Sequence, residues 1–95
     1  MPKPELVKLL NHPARLAIMS IAANRFQVSF VVLKQELEVS DATLSKHIAQ
    51  LSDAGYLRIT KSLGKSYAKT TVDITSAGRG VYEGHVAALR AILGV

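Results

Sequence analysis

The chain contains no cysteine. That absence excludes a disulfide framework, a thiol nucleophile and any thiolate metal site. Acids are scarce as well: Glu5, Glu36, Glu38, Asp41, Asp53, Asp73 and Glu83 stand against twelve lysines and arginines, a formal net charge of +5. Between Asp53 and Asp73 no acid occurs, whereas Arg58, Lys61, Lys65 and Lys69 all fall there. Long apolar runs are missing too, and the apolar start is broken by Pro4, Glu5 and Lys8. Neither an export signal nor a membrane span is therefore expected, and the default compartment is the cytoplasm. A Gly-rich phosphate loop, a nucleophile elbow and a His-Glu metal pair are likewise absent. Glu36 and Glu38 are two apart on a predicted helix and point in different directions, so no paired acid and base is expected. Catalysis has no foothold, and no cofactor or metal is called for.

What is present is one small domain, residues 1–95, with 48% apolar residues. A chain of this size buries only about two thirds of its unfolded surface, so a dimer interface would help it. Pro13 fits the first turn of a helix with Asn11 or His12 near its cap, and Ala14 to Ala23 contains no breaker. Ile18, Met19 and Ala22 fall on one side of this helix, which should end near Asn24. Gln27 and Val28 read as a short extended piece. Ser29 then suits the N-cap of a helix carrying Phe30, Leu33 and Leu37 at helical spacing and stopping around Glu38 and Val39.

Ser40 caps the next helix after about three residues, the spacing of a helix-turn-helix. In it Leu44, Ile48 and Leu51 follow the i, i+4, i+7 pattern of a buried stripe. Ala42, Lys46 and Ala49 fall on the far side, flanked by Thr43, Ser45 and Gln50. A helix that shows solvent small residues, hydroxyls, an amide and an ammonium can approach base edges in a DNA groove and donate to them. Gly55 stands where a left-handed residue would end this helix. Tyr56 to Thr60 and Ser66 to Ile74 have strand composition, with Gly64 between them to turn a hairpin. Helices followed by a basic hairpin predict an α+β, mostly helical winged helix-turn-helix: a three-helix unit with a β-hairpin wing over residues 12–75, then a dimerisation helix over 76–93.

That last helix begins near Ser76 with Thr75 as cap, and Val81, Tyr82, Val86, Leu89, Ile92 and Leu93 form its apolar stripe. Gly78, Gly80 and Gly84 interrupt it, each costing roughly 1 kcal/mol relative to alanine. Gly80, Gly84 and Ala88 recur at four-residue spacing, which would let another helix come close. The expected partner is the same helix of a second subunit, with His85 in the interface; the alternative is that the helix packs back on its own domain.

The chain resembles the winged-helix regulators of the MarR and ArsR type, above all their short single-domain members. His12-Pro13-Ala14-Arg15-Leu16-Ala17-Ile18-Met19 is similar to the family's opening helix, and Asp41-Ala42-Thr43-Leu44-Ser45-Lys46-His47-Ile48 to its recognition helix. Leu51-Ser52-Asp53-Ala54-Gly55-Tyr56-Leu57 resembles the helix exit, and Ile74-Thr75-Ser76-Ala77-Gly78-Arg79-Gly80 the start of the dimerisation helix. The resemblance implies a homodimeric regulator on a pseudo-palindromic site in double-stranded DNA, a repressor in the nucleoid. Ser40, Ala42, Thr43, Ser45, Lys46, His47 and Gln50 would meet bases and phosphates, Gln50 with adenine being the most base-specific pairing available. Arg58, Lys61, Lys65 and Lys69 would grip the flanking backbone. For His47 a packed position stands equally open. Where family wings often carry an arginine–proline tract, this chain has Ser66-Tyr67-Ala68-Lys69. Minor-groove insertion or phosphate contact alone both remain open for the wing. With no cysteine and with His12, His47 and His85 far apart, no metal-sensing site of the ArsR type is expected. A small-molecule effector is neither indicated nor excluded. The alternative reading is a winged-helix module that binds protein and not DNA.

Overall fold

The order of elements follows from the breakers and caps. A computed structural model describes residues 5–63 and 68–95. A 3-10 turn, Lys8–Leu10, precedes α1 (Pro13–Asn24), β1 (Val28–Ser29), α2 (Phe30–Leu37), α3 (Asp41–Asp53), β2 (Leu57–Leu63), β3 (Ala68–Ile74) and α4 (Ser76–Leu93). At each α-helix start a side chain from the preceding residue accepts a hydrogen bond from an orphan backbone N–H. His12 accepts from Ala14, Ser29 from Val32, Ser40 from Thr43 and Thr75 from Gly78. Glu38 ends α2 in the left-handed region, at φ +53°.

The exit from α3 is a two-bond C-cap. The Gly55 N–H donates to the Ser52 carbonyl and the Tyr56 N–H to that of Leu51, both at 2.9 Å. The arrangement needs a left-handed residue, and Gly55 supplies it at φ +85° without a side-chain clash. Gln27 also has a positive φ, +49°, and its N–H donates to the Asp73 carboxylate at 2.8 Å. Gln27 is therefore a bend and not part of the extended piece; the strand proper is Val28–Ser29.

The three strands form an antiparallel sheet in the order β1-β3-β2. Val28 pairs with Val72, Ile59 with Val72 and Leu57 with Ile74, so the apolar members share one face. That face closes on Ile18, Met19, Leu33, Leu44, Ile48 and Leu51, all buried. Leu10 belongs to the same core at zero exposure, a contribution that the broken apolar start of the chain had concealed.

Candidate nucleic-acid interface

The buried stripe of α3 decides what its other side offers. Leu44, His47, Ile48 and Leu51 are buried, while Asp41, Ala42, Thr43, Ser45, Lys46, Ala49 and Gln50 are exposed. Ala42 and Lys46 form the crest of the outward ridge, with Ser45 and Ala49 on one flank and Thr43 and Gln50 on the other. At the N-terminus, the Ser40 hydroxyl accepts from the Thr43 N–H and donates to the Thr43 hydroxyl at 3.0 Å. Asp41 would oppose a phosphate there, but Lys34 lies 2.7 Å from its carboxylate and offsets its charge.

Strand parity splits the cations that the sequence brings together. Lys61 pairs with Thr70 on the face that carries Ile59 and Val72, whereas Arg58 pairs with Asp73 and Lys69 with Ser62 on the opposite face. Lys61 thus lies beside α3, lining a cleft of about 360 Å³ with Phe30, Ser45, Ile48, Ala49, Ile59 and Thr70. Arg58 instead lines a separate cleft with Arg25, Phe26, Asp73 and Arg79. The cations expected to grip the flanking backbone are thus divided: Arg58 and Lys61 are three apart on one strand and face opposite ways, and the register sets Lys69 on the side of Arg58. Lys65 lies outside the described residues.

The other flank of α3 holds a network that the sequence reading missed. Arg15 Nε donates to the Leu9 carbonyl at 2.6 Å, and its Nη1 lies 3.3 Å from both His47 Nδ1 and Gln50 Oε1. Arginine can only donate, so His47 Nδ1 is bare and its ring neutral. Burial, then the charges of His12, Arg15 and Lys46, hold the His47 pKa below its ordinary 6.5, against the Gln50 amide oxygen, which as an acceptor for the ring N–H raises it. Of the two positions open for His47, the structure shows the packed one. Gln50 has its amide oxygen occupied, and a bidentate pairing with adenine requires both ends of the amide. That pairing would share the oxygen with Arg15 or displace it.

A family model for the winged helix DNA-binding domain matches residues 14–93. The chain belongs to the winged helix DNA-binding domain family. Among solved winged-helix structures, a transcriptional regulator homologue from Pyrococcus horikoshii superposes with a TM-score of 0.84 at 26% identity, over 90% of this chain and 85% of that one. The transcriptional regulator BldR of Sulfolobus solfataricus gives 0.74 at 21% identity, over 86% of this chain and 58% of its own, a likeness of fold. An uncharacterized protein of Methanocaldococcus jannaschii is 28% identical over 80 residues, covering 84% of this chain and 87% of that protein. The fold matches the winged helix fold of MarR-like regulators. Among the described residues no helix is long and apolar enough to cross a membrane.

In this winged-helix chain, α4 carries two adjoining stripes. Gly78, His85 and Ala88 are buried against the body, with Val81 half-buried beside them. Tyr82, Val86 and Leu89 are half-buried, and Ile92 and Leu93 are 56% and 70% exposed. His85 corrects the sequence reading: it is completely buried within its own subunit, where its Nδ1 accepts from the Val7 N–H at 2.9 Å. Its Nε2 has no partner among the described residues, and burial pushes its pKa down from 6.5. It is therefore an internal anchor for the N-terminal segment and not a surface on offer to a partner. Ala88 likewise turns inward, while a Cβ at Gly80 or Gly84 would meet nothing within 4 Å. The three small residues do not share one exposed face, because four-residue steps drift by about 40° per step around a helix.

Proposed function

We propose that this protein acts as a homodimeric, sequence-specific DNA-binding repressor of transcription. The observation that carries the reading is the outward ridge of α3: Ala42, Thr43, Ser45, Lys46 and Ala49 exposed along a helix whose opposite stripe is buried. Small residues on the crest allow close approach to base edges, and the hydroxyls and ammonium supply donors. Ser40 and Lys46 would meet the backbone near the helix N-terminus, and Lys61 would meet it from the wing side. Lys69, on the other wing face, would engage phosphates only if the wing enters a groove.

Dimerisation would use the exposed part of α4, in particular Tyr82, Val86, Leu89, Ile92 and Leu93. A helix interrupted by Gly80 and Gly84 has weak intrinsic stability, and burial of this apolar stripe against a second copy would offset it. Two-fold symmetry then requires a pseudo-palindromic site with half-sites about one helical turn, roughly 34 Å, or a multiple of it apart. Occupation of such a site excludes other proteins from it, hence repression.

The test is selection from a random double-stranded DNA pool at about 150 mM salt, which suppresses much of the nonspecific attachment. Recovery of a pseudo-palindrome is the expected result. Weak binding that vanishes with salt and yields no motif would overturn the reading and favour a protein-binding module.

A further inference from the structure

The ridge of α3 has cationic groups on both sides, and only the wing side has so far been given a task. On the far side, where α1 begins, His12, Arg15, His47 and Gln50 converge. The rings of His12 and His47 have centroids 4.7 Å apart, and Arg15 reaches both His47 and Gln50 at 3.3 Å. The charges that act on His47 are those of His12, Arg15 and Lys46, all of one sign. The ion pairs found among the described residues, Arg25–Glu36 and Lys34–Asp41, lie elsewhere. The Arg15 guanidinium thus has only neutral acceptors and no carboxylate beside it among the described residues, which leaves its charge open to an anion. A helix seated in the major groove has a phosphate strand on each side, across a groove about 12 Å wide.

We infer that the α1–α3 junction, Arg15 with His12 and His47, is a second phosphate-gripping site, and that it takes up protons as DNA binds. The inference rests on the reading of α3 as the DNA-reading helix. In the free protein the Arg15 guanidinium rests on His47 Nδ1 and Gln50 Oε1. A phosphate oxygen beside Arg15 accepts from the guanidinium and draws it off those two atoms. The bare Nδ1 is then open to a proton, and the phosphate charge offsets the repulsion that had kept the ring neutral. The same movement frees the Gln50 amide oxygen, so both ends of the amide become available to a base. Phosphate contact and base reading are thereby coupled through one side chain.

The experiment is binding of the intact protein to the selected duplex, or to a mixed-sequence duplex if selection yields none, across pH 6–8 and a salt series. Proton uptake is read directly by calorimetry in buffers of different ionisation enthalpy. Between pH 8 and pH 6 the wild type should bind roughly three- to tenfold more tightly, as uptake of a fraction of a proton per subunit requires. Arg15→Gln should lower the salt slope by about 0.9 per subunit, while Arg15→Lys restores it. His12→Asn, which keeps an N-capping side chain, combined with His47→Gln should flatten the pH dependence. Arg15 also holds the Leu9 carbonyl, so thermal melting accompanies each variant; should Arg15→Gln unfold, Arg15→Lys and the wild-type proton uptake carry the test. DNA binding with no proton uptake, together with an unchanged salt slope in Arg15→Gln, overturns the inference and leaves the α3 reading intact. Failure to bind any duplex overturns both.

Discussion

Helices α3 and α4 begin alike and end differently. Each is opened by a hydroxyl that caps its third residue, Ser40 for Thr43 and Thr75 for Gly78. Helix α3 then buries its whole apolar stripe and leaves outside only what suits water or a polar groove. Helix α4 buries Gly78, His85 and Ala88 but carries Ile92 and Leu93 outward, where one subunit gives them no cover. The outer face of the first is polar and small, and that of the second carries bare apolar side chains. The glycines follow the same division. A Cβ on Gly78 would run into the Tyr56 carbonyl, whereas Gly80 and Gly84 face open space.

This comparison can be broken or sharpened by measurement. The largest effect should come from Leu51→Ala, which empties the anchored side of α3 and should cost about 2–5 kcal/mol in urea denaturation. A loss below about 1 kcal/mol would mean that the stripe does not hold α3 in place. Next is Gly78→Ala, expected to cost about 1–3 kcal/mol, because the contact it crowds is backbone and cannot swing aside. An unchanged melting temperature would contradict the close approach of α4 to Tyr56.

The pH dependence of stability comes third. His85 is buried neutral, so unfolded chains bind more protons than folded ones once the pH falls below the ordinary histidine value of 6.5. Its contribution is complete above that value and is lost progressively as the pH drops towards the lower folded pKa. His85→Leu should flatten part of the acid limb of the melting profile; His47, shifted in the same direction, should leave a remainder. Identical acid limbs in the two proteins would show that the Val7–His85 contact does not report on unfolding. The smallest effect is Gly84→Ala, which should stabilise an isolated subunit by up to about 1 kcal/mol. If sedimentation instead shows that it weakens self-association, a partner helix approaches at Gly84.

Much of this fold was legible because its boundaries are written in local chemistry. Pro13, Ser29, Ser40, Thr75 and Gly55 act on backbone groups within a few residues of themselves, so their effect can be read without tertiary structure. The core stripe of α3 was legible for the same reason, since Leu44, Ile48 and Leu51 repeat at the helical period. The site was harder. Whether Lys61 and Lys69 share a face depends on the cross-strand register, which pairs Lys61 with Thr70 and Lys69 with Ser62 and which no single strand records. Arg15 meets Gln50 across 35 positions, and Val7 meets His85 across 78. Nothing in the spacing of a histidine on an amphipathic helix tells which neighbour will cover it.

The junction at Thr75 has a mechanical consequence. The Thr75 N–H donates to the Tyr56 carbonyl at 3.0 Å, its hydroxyl donates to that of Gly55 at 2.6 Å and accepts from Gly78, and Gly78 presses on Tyr56. The end of α3, the base of the wing and the start of α4 are thus fastened at one point, with no slack between them. Helix α4 leaves that point as a lever of 18 residues, about 27 Å at 1.5 Å per residue. A tilt of about 10° at the elbow would carry its far end about 5 Å sideways. In a pair joined through α4, the spacing between the two reading helices is a ruler whose zero is set at this elbow.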